Sequence, residues 1–152
     1  MEEDFVDLFR ARCDERYRTE LQQMPGVVAM LDALTSPYCV ASNGPTTKVR
    51  TTLGAVGLLS RFDGRIFSAY TRERFKPDPD VFLQAAKALG AEPARCVVVE
   101  DSVHGVQAAR AAGMRVLGFA PPSAQGEPLA EHGAEVFDSF TKLPALLKGR
   151  EA

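Results

Sequence analysis

The run Cys96-Val97-Val98-Val99-Glu100-Asp101 limits what this chain can fold into more than any other stretch. A thiol and three valines read as a β-strand, and the strand stops on two adjacent carboxylates. Adjacent carboxylates repel one another and resist desolvation, so a strand ending this way needs a metal ion or a lysine beside it. Lys76, in Lys76-Pro77-Asp78-Pro79 one helix earlier, supplies one cation. A third element, Ser42-Asn43-Gly44-Pro45, also closes a hydrophobic run. These three corners outline a site for phosphate and Mg²⁺, and the chain offers no candidate for a nucleophile as the fourth.

The rest of the chain alternates between helical and extended patterns. Phe5, Leu8, Phe9, Cys13, Tyr17, Leu21 and Met24 recur at helical spacing and predict an amphipathic helix over 4–23. Pro25-Gly26 breaks it, and a second helix is expected over 27–34. Strands are expected at 38–42, 66–69, 96–100, 115–119 and, as a final edge, 135–137. Helices are expected from Pro45 to about Leu59, from Asp78 as cap to Gly90, from Ser102 as cap to Gly113, in one turn at 129–132, and over 143–147. Strands alternating with helices predict an α/β fold, a parallel Rossmann-like sheet with helices on both faces. In such sheets chemistry gathers at the carboxyl ends of strands, where Ser42 and the Glu100-Asp101 pair fall and which Lys76 follows.

Each candidate also has a plain structural reading. Asp101 could simply cap the next helix with Ser102, Lys76 could be a solvated loop lysine, and Ser42-Asn43-Gly44 could be an ordinary turn with its own side-chain hydrogen bonds. Their joint order, each at a strand end, separates the two readings. Asp101 is then the direct metal ligand and Glu100 its neighbour. Lys76, on a loop stiffened by two prolines, neutralises phosphate. The hydroxyl and backbone N–H groups of Ser42, Asn43 and Gly44 form an anion cradle at a helix start. His104, near the acids, reads as a surface residue, as do Arg72 and Arg74.

Composition narrows the function classes. The 152 residues suffice for one domain with a core, and a net charge of −2 carries no basic footprint for nucleic acid. No apolar run approaches the roughly 18 residues of a membrane span, and the acidic start Met1-Glu2-Glu3-Asp4 is unlike a signal peptide. Cys13, Cys39 and Cys96 have no metal-binding or redox spacing, which suits a reducing cytoplasm. No dinucleotide or P-loop motif occurs, and the serine-first, acids-last order differs from that of a phospho-receiver domain.

In combination, Pro25-Gly26-Val27, VASNG at 40–44, KPDP at 76–79 and VVVEDSVHGVQAARAAGM at 97–114 resemble the haloacid dehalogenase superfamily of phosphohydrolases. The match covers about Met24 to Ala120 and looks most like the β-phosphoglucomutase-like branch with its 6-phosphogluconate phosphatase-like members. The resemblance implies a Mg²⁺-dependent, two-step phosphoryl transfer through an aspartyl-phosphate on small phosphorylated metabolites. Ser42 and Asn43 would hold phosphate oxygens, Lys76 would neutralise the nucleophile and phosphate, and Glu100 and Asp101 would position Mg²⁺. The family opens on a strand ending D-x-D, followed by a helical cap; Asp4, Asp7 and Asp14 match neither. Residues 1–23 therefore look like a remnant cap helix, and 24–150 like a core without its first, central strand. Three outcomes are expected for that gap: an upstream segment in the native gene, direct pairing of the two flanking strands, or a strand donated by another chain. The competing reading is a non-catalytic module of the same fold that dimerises through exposed strand edges or its apolar helix.

Overall fold

The computed structural model describes residues 2–148; Met1 and the expected end of the core at 149–150 lie outside the described residues. Helix α1 (Glu2–Glu20) leads to α2 (Val27–Ala33), β1 (Val40–Ser42), α3 (Thr46–Ala55), β2 (Ile66–Ser68), α4 (Asp80–Ala88), β3 (Val97–Glu100), α5 (Val103–Ala111), β4 (Arg115–Phe119), α6 (Glu127–Glu131), β5 (Glu135–Phe137) and α7 (Leu143–Lys148). All strand pairings are parallel, as the β/α alternation requires. The expected helix at Pro45 to Leu59 ends early. Gly57 takes a left-handed φ of 71°, Gly57 N–H bonds Gly54 O at 3.1 Å and Leu58 N–H bonds Leu53 O at 2.8 Å. This is the Schellman closure, and it repeats at Gly90 and Gly113, the glycines expected to stop α4 and α5.

Within the expected α/β fold, three details are corrected. The strands form two sheets, β1-β2 and β3-β4-β5, in place of one. β1 pairs with β2 and β3 with β4, so the strands flanking the expected gap have not closed up on each other. Direct pairing is thereby overturned. β3 is an edge, and Val97 and Val99 remain 36% and 39% exposed, where the sequence suggested a strand buried throughout. β3 has β4 on one side only, and of its two faces the Val98 face is the one covered by the core.

The two sheets still act as one layer because alternate residues of both feed the same two cores. Ala41, Phe67, Val98 and Val116 pack with Val81 and Phe82 of α4 and Val106 and Ala109 of α5 on one face. Val40, Ile66, Leu117 and Phe137 pack with Met30 and Leu31 of α2 and Leu143 of α7 on the other. The helices therefore cover both faces, as expected. Helix α1 lies against α3, but its apolar stripe is only partly used. Cys13 and Tyr17 are half-buried, whereas Phe5, Leu8 and Phe9 are exposed.

Candidate active site

The carboxyl ends of β1, β2 and β3 meet around one side chain. Lys76 follows β2 on an extended loop and reaches across the gap between the sheets. Its Nζ pairs with Glu100 Oε1 at the end of β3 and donates to Ala41 O in β1 at 3.0 Å. The ammonium also sits 4.6 Å from the centre of the Phe82 ring. Both partners of the ion pair are buried, with side chains 8% and 9% exposed. A carboxylate and a carbonyl satisfy two of the three N–H donors, which is what a desolvated charge requires.

The other corners hold this lysine in place. Asn43 clamps its backbone: Lys76 N–H donates to Asn43 Oδ1 at 2.8 Å, and Asn43 Nδ2 donates to Lys76 O at 3.4 Å. Ser42 Oγ accepts Gly44 N–H at 2.9 Å, and buried Ser68, opposite Ser42 in the β1–β2 register, donates to Gly44 O at 2.8 Å. The Ser42-Asn43-Gly44 turn is thus braced from within, the local hydrogen bonding of the plain structural reading. A Ser42 hydroxyl whose lone pair holds Gly44 still has its own proton to offer an anion.

At the acid corner, Ser102 donates to Glu100 Oε2 at 3.1 Å and caps α5 by accepting Gly105 N–H at 3.1 Å. Gly105 makes room for this: a Cβ there would lie 2.0 Å from Glu100 Cδ. Asp101 follows at the same strand end but is exposed, and it makes no side-chain hydrogen bond or ion pair among the described residues. The structure therefore ties Ser42, Asn43, Gly44, Lys76 and Glu100 into one network and leaves Asp101 at its rim. His104 is exposed in the first turn of α5, and His132 Nδ1 lies 2.8 Å from Pro128 O, well away from the site in sequence and bonding.

Sequence reasoning missed Ser68 and Gly105, and gave Ser102 only its capping role. The carboxyl-end rule that singled out Ser42 applied equally to Ser68. Gly105, an interior helical glycine five residues after an acid, was a signal for close approach.

For a cation, Glu100 and Asp101 offer hard carboxylate oxygens, with both Glu100 oxygens already engaged. Among the described residues no three His, Cys, Asp or Glu side chains are grouped to hold a metal alone. The donor set suits an ion that takes two carboxylates and completes its shell with water and phosphate oxygens, and does not suit an all-protein cage.

Residues 2–113 match the family described as haloacid dehalogenase-like hydrolase. The chain belongs to that family. It is 36% identical over 143 residues to 6-phosphogluconate phosphatase of Escherichia coli, an alignment covering 94% of this chain and 64% of that protein. A haloacid dehalogenase-like protein of unknown function from Agrobacterium tumefaciens superposes with a TM-score of 0.87 at 39% identity, covering 95% of this chain and 68% of that one. A putative β-phosphoglucomutase from Thermotoga maritima gives the same TM-score at 26% identity, covering 99% of this chain and 71% of that one. These likenesses set this haloacid dehalogenase-like chain in the β-phosphoglucomutase-like branch. The chain spans 64% of the length of the curated phosphatase it matches. Among the described residues of this family member, no helix is long and apolar enough to cross a membrane.

Proposed function

We propose that the whole protein is a cytoplasmic, Mg²⁺-dependent phosphatase of small phosphorylated metabolites, sugar or sugar-acid phosphates among them. The observation that carries this reading is Lys76, a buried ammonium bonded both to Glu100 and to Ala41 O at the ends of two sheets. A fold that holds a desolvated cation between strand ends has an electrostatic centre for a phosphoryl group already in place. In this reading Ser42 donates its hydroxyl to a phosphate oxygen and Gly44 allows close approach. Asn43 acts through Lys76, fixing the height at which the ammonium stands. Glu100 and Asp101 would hold Mg²⁺, which supplies charge neutralisation and polarises the phosphoryl oxygens when bound. The resemblance assigns no residue of this chain to the aspartate nucleophile. Residues 1–23 are read as part of a cap, and 24–150 as the core lacking the strand that carries the nucleophile. The match to a 6-phosphogluconate phosphatase supports the substrate class.

The test is a phosphatase assay of the purified 152-residue chain with Mg²⁺ and a panel of sugar and sugar-acid phosphates. Negligible turnover is expected because the nucleophile is not among these residues. Robust Mg²⁺-dependent hydrolysis would overturn this assignment of roles. A second reading, a non-catalytic module that self-associates as a homodimer, is favoured by the exposed Val97 and Val99 on β3 and by Phe5, Leu8 and Phe9 on α1. Light scattering that gives a concentration-independent dimer would support it, and a monomer would exclude it.

A further inference from the structure

We propose that Lys48 contacts the substrate's phosphate directly and that Tyr17 of α1 positions it to do so. The inference rests on the phosphatase reading and adds to it the group that meets the incoming charge. Lys76 is the central cation, but its ammonium is buried and already bonded to Glu100 and Ala41 O. An anion arriving at the Ser42 turn therefore finds that cation partly neutralised, and a second positive charge is needed to favour entry.

Lys48 is the third residue of α3, directly after the turn. Its Cδ lies 3.8 Å from the point where a side chain on Gly44 would begin, and Ser42 Oγ lies 3.3 Å from the same point. The missing Cβ of Gly44 thus leaves a space with the Ser42 hydroxyl on one side and the Lys48 stem on another. The Lys48 ammonium stands 5.6 Å from the centre of the Tyr17 ring, a cation over the face of an aromatic group. Lys48 is exposed, and no carboxylate pairs with its ammonium among the described residues. A ring attracts the ammonium without neutralising it or taking its N–H donors in strong bonds. Tyr17 therefore parks the charge beside the cradle, ready for a phosphate monoester dianion. Because Tyr17 belongs to α1, the placement of that helix sets where the charge stands.

Titration of inorganic phosphate into the 152-residue chain, followed by ³¹P NMR, tests this. Lys48→Met is expected to weaken binding about tenfold, the scale of one charge-assisted hydrogen bond, and Lys48→Arg to retain most of it. Tyr17→Leu should weaken binding by about two- to fivefold while Tyr17→Phe restores it, since the ring and not the hydroxyl does the positioning. Ser42→Ala, which loses the cradle hydroxyl, is the control for the site. If Ser42→Ala weakens binding and Lys48→Met does not, the inference falls and the phosphatase reading stands. If the wild-type chain binds no phosphate, both fall. Loss in Lys48→Met without loss in Ser42→Ala would put the anion outside the cradle and overturn the inference. Equal affinity for Tyr17→Leu and wild type would remove Tyr17 from it. Lys48 is on the surface, so unchanged urea midpoints are expected to show that the variants fold.

Discussion

The Lys76 side chain bonds at once to Glu100 at the end of β3 and to Ala41 O in β1. Its ammonium and the Glu100 carboxylate are each about nine-tenths buried, and each is the other's charge partner. Removing one member of such a pair strands the other in a medium of low polarity, where the loss is typically about 3–5 kcal/mol. Glu100→Gln, which preserves shape and removes charge, is expected to lower unfolding free energy by about that much in urea denaturation. Replacing both partners at once, with Lys76→Met and Glu100→Leu, should recover much of the loss. A Glu100→Gln change of under about 1 kcal/mol would mean the ammonium finds water or another partner, contrary to the burial found here.

At the scale of elements, the junction of β3 and α5 decides how the acid corner is held. Ser102 serves both sides: its oxygen accepts Gly105 N–H to start the helix, and its proton goes to Glu100. Ser102→Ala loses the cap and the carboxylate's second bond together, so about 1–2 kcal/mol of destabilisation is expected from urea melts. Ser102→Asp is an equally good cap in an isolated helix. Here it should fail to restore stability, because its charge would stand beside Glu100. Full rescue by aspartate would show that the Glu100 contact contributes nothing. The glycine closures of α3, α4 and α5 act the same way at the other ends of their helices, each freeing the chain to turn into the next element.

Across the whole molecule, two sheets are welded into one layer by shared cores on both faces. The amino ends of β1 and β3 carry Cys39 and Cys96, each just before its strand. Burial raises the Cys39 thiol above its usual range, and the neighbouring Cys96 adds to the rise while Arg65 opposes it; burial likewise raises Cys96, with Glu92 adding to it. A raised pKa means the folded state keeps its proton longer than the unfolded chain does. The stability from the neutral thiols is complete below the unfolded value near pH 8.5 and declines as pH rises beyond it. Unfolding free energy should therefore fall between about pH 8 and pH 10 in a denaturant series, and the fall should be shallower in Cys39→Ala. An identical slope in wild type and variant would assign the decline to other groups.

The β/α alternation, the glycine stops at Gly90 and Gly113, the Ser102 cap and the strands at 115–119 and 135–137 were legible in the sequence, because each depends on neighbours a few residues away. The grouping of Ser42, Asn43, Gly44, Lys76 and Glu100 was legible too, since parallel sheets bring the carboxyl ends of their strands to one side whatever the details. Tertiary structure alone decided which atoms meet. That Asn43 holds the Lys76 backbone, that Lys76 spans two sheets, and that β3 stands as an edge with two valines exposed all depend on contacts between segments some 20 to 35 residues apart. Local pattern specifies which face of a strand is apolar; whether anything covers that face depends on what packs there, and no periodicity carries that information.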